Sequence, residues 1–438
     1  MNIFDAVRRS FHHIRRQLLS RSGRGLSAAA IWQLSNYAIP LLTFPYLARV
    51  LGAEGFGLIG LAAAIIGYAV MVTDWGLGLT GTQAVAQNQN DPAAIRLLVW
   101  DFIFAKALLG GICTGAVAIG IAWAPASLRP LLVVSMLNLV AAVLAVDWVL
   151  RGTEQLASLA TLSIAGRLTS VPLTYLLVRN SDDLALAILA TCLGAILSTA
   201  LCWIKIARMG LVGLPVLRLG PALEALRSST HIFLSTAVIS LYTSSLIVVL
   251  GAVSSPVQVG LFTGARRLRD AVNGALSPFP VVFFPRMSAV SVSDPAGAER
   301  LAKRLFVVQG GFALVLSIAL TVAAPILVRI LLGTGFEQAV PVLRVMAWTI
   351  FLTAISNVAG VIIMIPFGMK RYLTYCLVLG AAIGLGTAIP LAYLYGAFGA
   401  SIAALLAEIA VTTSMLFCLQ QRFAWMPYAR ISSSPDPN

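Results

Sequence analysis

The sequence predicts an all-α polytopic membrane protein, with about twelve spanning helices arranged as two six-helix halves. Three observations lead there. The 438 residues are 59% hydrophobic and only 11% charged, whereas soluble domains carry roughly 25% charged residues. Apolar segments long enough to cross a bilayer recur along the whole chain. Basic residues collect in the short connections on one side of those segments.

Taken in order, residues 1–25 form a basic amphipathic stretch. Ile3, Val7, Phe11, Ile14 and Leu18 recur at helical spacing with Arg8, Arg9, Arg15 and Arg16 between them, a pattern suited to an anionic cytoplasmic leaflet. Twelve apolar segments follow, near 27–49, 56–75, 97–122, 130–150, 156–178, 184–207, 230–251, 257–285, 303–329, 340–365, 373–395 and 397–420. The eighth carries Pro278, Pro280 and Pro285, and proline inside a helix removes a hydrogen bond and kinks or ends it, so this segment is expected to break early.

With the N-terminus in the cytoplasm, the cytoplasmic loops and termini hold 20 basic residues and the outer loops hold four: Arg49, Arg129, Arg179 and Arg329. That bias places both termini inside. The longest connector, 209–229, separates an N-terminal lobe (26–208) from a C-terminal lobe (230–422), with a cytoplasmic tail at 423–438. A short internal repeat agrees with the division. Val50-Leu51-Gly52-Ala53 followed by Gly57-Leu58 matches Val249-Leu250-Gly251-Ala252 followed by Gly260-Leu261, and each copy lies at the first hairpin of its half.

The motifs exclude several classes. Gly76, Gly78 and Gly81 spell GxGxxG, but they follow a membrane helix and lack the strand that a dinucleotide site requires. No P-loop is present, so energy must come from an ion gradient, the cargo gradient or a partner. The five cysteines lie singly in apolar runs, and the three histidines (His12, His13, His231) lie at or outside membrane boundaries. No catalytic group, metal site or cofactor is expected. The net charge of +14 follows the loops and does not indicate nucleic acid.

Charges inside spans carry the functional signal, because a charge in the bilayer must face a cavity or pair. The deeper bases, Lys106, Arg167, Arg266, Arg269 and Arg344, are expected to line a cavity and bind cargo; Arg267 also lies in a span. Arg clamps phosphate bidentately and Lys acts as a point charge, so an anionic cargo is expected. The acids Asp74, Asp101, Asp147 and Asp270 are the candidates for ion coupling. Arg266 and Asp270 stand at i,i+4 and can pair, leaving Arg269 as net positive charge. Asp101 is expected to pair with Lys106 or to lie near the cytoplasmic surface, and Asp74 and Asp147 lie near helix ends.

The first hairpin, Tyr37 through Pro40, Pro45, Tyr46, Arg49, Gly52 and Glu54 to Gly57, resembles the opening of Wzx-type polysaccharide flippases, members of the multidrug/oligosaccharidyl-lipid/polysaccharide exporter superfamily. Asp147-Trp148 through Arg151-Gly152 to Glu154, Val259-Gly260 to Arg266, Pro280 to Arg286, Leu332 to Phe336, and Gly396 to Ala400 followed by Glu408 are similar to further signatures of that family. Phe262 stands where the family often has Tyr.

The resemblance covers about residues 26–420. It implies a two-lobed, V-shaped bundle around a central cationic cavity, moving undecaprenyl-pyrophosphate-linked oligosaccharide to the periplasmic leaflet of the inner membrane by alternating access. A polysaccharide polymerase and a chain-length regulator are the implied protein partners, and Arg266, Glu54 and Glu154 match family positions. The rival readings are an ion-coupled multidrug antiporter of the same superfamily, a peptidoglycan-precursor flippase, and a membrane glycosyltransferase or polymerase. The last lacks a loop or soluble domain large enough for its chemistry.

Overall fold

A computed structural model describes residues 21–422. Most of the expected amphipathic stretch, and all of the expected C-terminal tail, lie outside the described residues. Those described are overwhelmingly helical. The helices are α1 (Arg21–Asp74), α2 (Leu77–Gln87), α3 (Pro92–Trp123), α4 (Arg129–Val143), α5 (Asp147–Gly152), α6 (Leu156–Leu177) and α7 (Leu184–Arg208). After them come α8 (Leu219–Thr243), α9 (Ser245–Val253), α10 (Pro256–Asn273), α11 (Pro278–Ser293), α12 (Pro295–Leu327), α13 (Ala339–Asn357) and α14 (Lys370–Arg422). Wider π-helical turns at Val328–Leu332 and Val358–Met364 extend α12 and α13.

Among the described residues, 9 stretches are long and apolar enough to cross a membrane. Two of them, of 49 and 53 residues, exceed the roughly 20 residues that one crossing needs. Each contains a glycine with positive φ, Gly52 at 66° in α1 and Gly396 at 56° in α14. Only glycine enters that region cheaply, so the kink divides each long helix into two arms. The second kink is held by Gln258, whose Oε1 accepts from the Ala397 amide at 2.8 Å. With these double arms, the architecture is consistent with the twelve expected spans.

Helix starts follow local chemistry. Pro92 and Pro295 each stand in a first turn, where a missing N–H costs nothing. Asp91 caps α3 by accepting from the amides of Ala93 and Ala94, and Asp294 caps α12 through Gly297. The eighth expected span does break: α10 ends at Asn273, a 3-10 turn follows, and α11 begins at Pro278. The helix expected at 230 begins earlier, at Leu219. The outer surface is apolar, with tyrosines near both ends of α14's first arm. Tyr375 and Tyr393 are 68% and 72% exposed and stand roughly 27 Å apart along a helix rising 1.5 Å per residue, close to the thickness between two interfacial aromatic belts.

The chain divides into two compact units. One comprises the residues up to Leu51 together with Ala62–Thr236; the other comprises Gly52–Leu61 together with the residues from Ala237 onward. The core of the first unit gathers Leu77, Val99, Phe102, Trp148 and Ile206. The GxGxxG segment is a packing element there. A Cβ on Gly81 would lie 2.7 Å from the Trp148 ring, and one on Gly76 would lie 2.8 Å from Ile232. In the second unit a core of Met287, Ala302, Ile362, Cys376 and Met415 joins α11, α12, α14 and the second π-helical segment. That unit also contains the crossing of the two repeated hairpin segments, where Gly57 meets Gly260 backbone to backbone.

Candidate functional site

Helices α9, α10, α13 and α14 of the second unit enclose a cavity of about 50 Å³, lined by Leu246, Phe262, Arg266, Arg269, Met346, Thr349, Ala404 and Glu408. That is room for a few waters. Arg266 and Arg269 are one turn apart on α10 and point the same way, as i,i+3 residues do. Arg269 donates through Nε to Thr349 Oγ1 at 2.8 Å and through Nη1 to Asp270 Oδ1 at 2.7 Å. Thr349 Oγ1 in turn donates a hydrogen bond to the Met346 carbonyl at 2.6 Å. Asp270 Oδ2 stands 3.6 Å from Arg266 Nε. The carboxylate is therefore shared between two guanidinium groups, and the expected Arg266–Asp270 pair is present.

Glu408 projects from the second arm of α14 and is only 6% exposed. It lies close enough to Arg269 and Thr353 to interact with both. The cluster thus holds two bases and two acids, not the net positive charge that Arg269 was expected to leave. Glu408 is visible in the sequence as a solitary acid in an apolar run, but only the packing of α14 on α10 brings it to the arginines. Arg267, next in the chain, points elsewhere and stacks its guanidinium 5.0 Å from the Phe56 ring centre, a cation–π contact.

In the first unit the charges form separate pairs. Lys106, fully buried, meets Asp74 at 2.9 Å. Asp101 pairs with Arg218, and not with Lys106, one of its two expected situations, through a two-point contact that includes Arg218 Nε to Asp101 Oδ1 at 2.9 Å. Asp147 pairs with Arg151 one turn on, and Arg167 lies within its electrostatic reach. Each of the four acids proposed for ion coupling therefore has a basic neighbour. The structure brings Arg266 and Arg269 together in one cavity; Lys106 and Arg167 belong to the other unit. Arg344 is on an exposed face of α13 and is not in the cavity lining.

The Asp101 contact belongs to a longer strap. Arg96 Nε donates to the Gly210 carbonyl at 2.7 Å, and Trp100 Nε1 donates to the Gly213 carbonyl at 2.9 Å. Three positions of the connector, Gly210, Gly213 and Arg218, are tied to one end of α3. Sequence reasoning missed this because connector carbonyls leave no signature in composition.

The model of the family described as "Polysaccharide biosynthesis protein" matches residues 22–291, more than half of the chain. A protein of Escherichia coli (strain K12) named "Putative O-antigen transporter" is 31% identical over 399 residues, covering 90% of this chain and 95% of that one. The chain belongs to the polysaccharide biosynthesis protein family. A Shigella dysenteriae member of the same name is 26% identical over 383 residues, covering 87% of this chain and 96% of its own.

The fold of this family member is also that of solved transporters. An inward-facing multidrug resistance MATE family transporter of the MOP superfamily aligns with a TM-score of 0.70 at 15% identity, covering 91% of this chain and 96% of that one. An outward-facing structure described in the same way aligns at 0.58 and 16% identity, covering 89% and 94%. The signature positions take defined places. Trp148 is fully buried with Phe102 beside it, Glu154 adopts a positive φ of 58°, and Glu54 is exposed.

Proposed function

We propose that this protein is an inner-membrane flippase that carries undecaprenyl-pyrophosphate-linked oligosaccharide repeat units to the periplasmic leaflet for surface polysaccharide synthesis. Family membership and the names of the related transporters support a role in transport and not in catalysis. The observation that carries the reading is the paired Arg266 and Arg269 in a cavity among membrane-spanning helices. Two guanidinium groups one turn apart on α10 can each form charge-assisted, bidentate hydrogen bonds to phosphate oxygens, and a low-dielectric setting strengthens the attraction.

In this reading the pyrophosphate meets Arg266 and Arg269 while the polyprenyl tail stays in lipid. At about 50 Å³ the cavity must widen to admit the head group, which opening in an alternating-access cycle would do. Lys106, Arg167 and Arg344 are secondary cargo contacts, and Asp74, Asp101, Asp147 and Asp270 are the coupling candidates. Both termini face the cytoplasm in accord with the basic loops. A polymerase and a chain-length regulator are the expected partners, taking up the translocated units.

Deleting the gene tests this. Surface polymer should fall and undecaprenyl-linked units should accumulate at the cytoplasmic side. Unchanged polymer with altered drug tolerance would instead favour an ion-coupled multidrug antiporter, a reading that the acids Asp270 and Glu408 beside the cavity also suit.

A further inference from the structure

Glu408 lines the same cavity as the arginines that the cargo's phosphates would use, Arg266 and Arg269. It is buried at 6% exposure, and it interacts with Arg269. Asp270 is already fixed between the two guanidinium groups by contacts of 2.7 and 3.6 Å. With all four groups ionised the cluster sums to zero, and an entering anion would meet a second carboxylate competing for Arg269. With Glu408 protonated the cluster carries one positive charge and that competition ends.

We propose that Glu408 is an internal counter-ion of the cargo site, displaced by the cargo's pyrophosphate and protonated as the cargo binds. The inference rests on Arg266 and Arg269 holding that pyrophosphate. No bond is made or broken; one solvent proton passes to the Glu408 carboxylate when the anion takes its place, and returns to solvent when the anion leaves. Because binding linkage is reciprocal, cargo binding raises proton uptake and a fall in pH tightens cargo binding.

The surroundings single out this residue. Helix α9 contributes Leu246 to the cavity and no titratable group. Helix α10 contributes Phe262, Arg266 and Arg269, with Asp270 held by the two arginines, and α13 contributes Met346 and Thr349, with Thr353 also near Glu408. Arg344, also on α13, is on an exposed face. The π-helical segment Val358–Met364 has no ionisable side chain. The first arm of α14 meets the second through Gly380, packed on Val411 and Ala407. Asp270 is held by two arginines, so Glu408 is the acid left to exchange partners.

The experiment uses the full chain in nanodiscs and UDP-glucose as probe, a pyrophosphate diester whose own charge is constant between pH 5 and 8. Wild-type protein should bind it more tightly as pH falls, by up to about tenfold per pH unit, the limit for one linked proton. It should also take up a proton on binding in weakly buffered dye solution, a readout that needs no variant. Glu408→Gln should bind at every pH with the pH dependence gone, while Asp270→Asn should keep that dependence. If the probe binds wild type with no pH dependence and no proton uptake, or if Glu408→Gln titrates like wild type, the counter-ion role is overturned. If wild type binds no probe at any pH, the cargo-site reading itself fails, which is a distinct result.

Discussion

Gly57 and Gly260 face each other so closely that neither can carry a side chain. A Cβ on Gly57 would lie 2.7 Å from the Gly260 amide nitrogen, and a Cβ on Gly260 would lie 3.2 Å from the Gly57 amide nitrogen. Each would also overlap a carbonyl four residues before its partner, that of Pro256 or Ala53. The reciprocal pattern is that of two helices crossing with a glycine from each at the point of closest approach, which lets the backbones meet.

Alanine at either glycine forces those backbones apart, and overpacking of this kind costs about 1–3 kcal/mol. Gly57→Ala and Gly260→Ala should each lower the melting temperature read by fluorescence-detected size-exclusion chromatography. Gly67 is the control. It lies in the same helix, and a Cβ there would touch nothing within 4 Å, so Gly67→Ala should match or exceed wild type.

Arg269 supplies both a charge and a hydrogen-bonding fork, which substitution separates. Arg269→Ala removes the charge and the Thr349 contact, and should abolish polymer export while the protein still reaches the membrane. Arg269→Lys keeps a point charge without the fork and should restore only part of the export. Equal export by wild type and Arg269→Ala, quantified from surface polymer, would remove this residue from the site.

The Asp101–Arg218 pair ties the connector to α3. Breaking a buried pair by deleting one partner costs about 3–5 kcal/mol, and the half-exposed Arg218 brings that toward the lower end or below it through solvent screening. Arg218→Gln should therefore destabilise clearly, because it strands a carboxylate only 4% exposed. Adding Asp101→Asn should recover part of the loss. A double-mutant cycle that shows no coupling would mean the connector is held by Arg96 and Trp100 alone.

Asp183, before α7 and exposed to solvent, accepts from the amides of Arg179 and Asn180 at 2.8 and 2.9 Å. These bonds favour the charged form and hold its pKa below the ordinary value of 3.8. A depressed carboxyl pKa contributes stability above the unfolded value, and that contribution is lost as pH falls through the folded one. Protection factors at the Arg179 and Asn180 amides, taken relative to intrinsic exchange at each pH, should be raised at neutral pH and should fall in strong acid. In Asp183→Asn the acid-dependent step should vanish.

Much of the architecture is legible in the sequence because it is written in local terms. Apolar length gives the spans, Pro278 marks where the eighth breaks, and i,i+4 spacing gives Arg266 with Asp270. The charge partners formed across helices are not legible. Asp101 finds Arg218, 117 residues away, and Lys106 finds Asp74, because of how α3 packs against its neighbours. A helix's own sequence does not state which face meets which partner. The same reason hid Glu408, whose place beside Arg269 depends on the kink at Gly396 and on the packing of α14 against α10.

The most direct test of the account is a flipping assay in proteoliposomes, using a fluorescent undecaprenyl-pyrophosphate-linked sugar and a membrane-impermeant quencher. Wild-type protein should carry label from the inner leaflet to the quenchable outer one, and Arg269→Ala, reconstituted to the same density, should not. Label movement no faster with wild-type protein than in protein-free liposomes would contradict the flippase assignment.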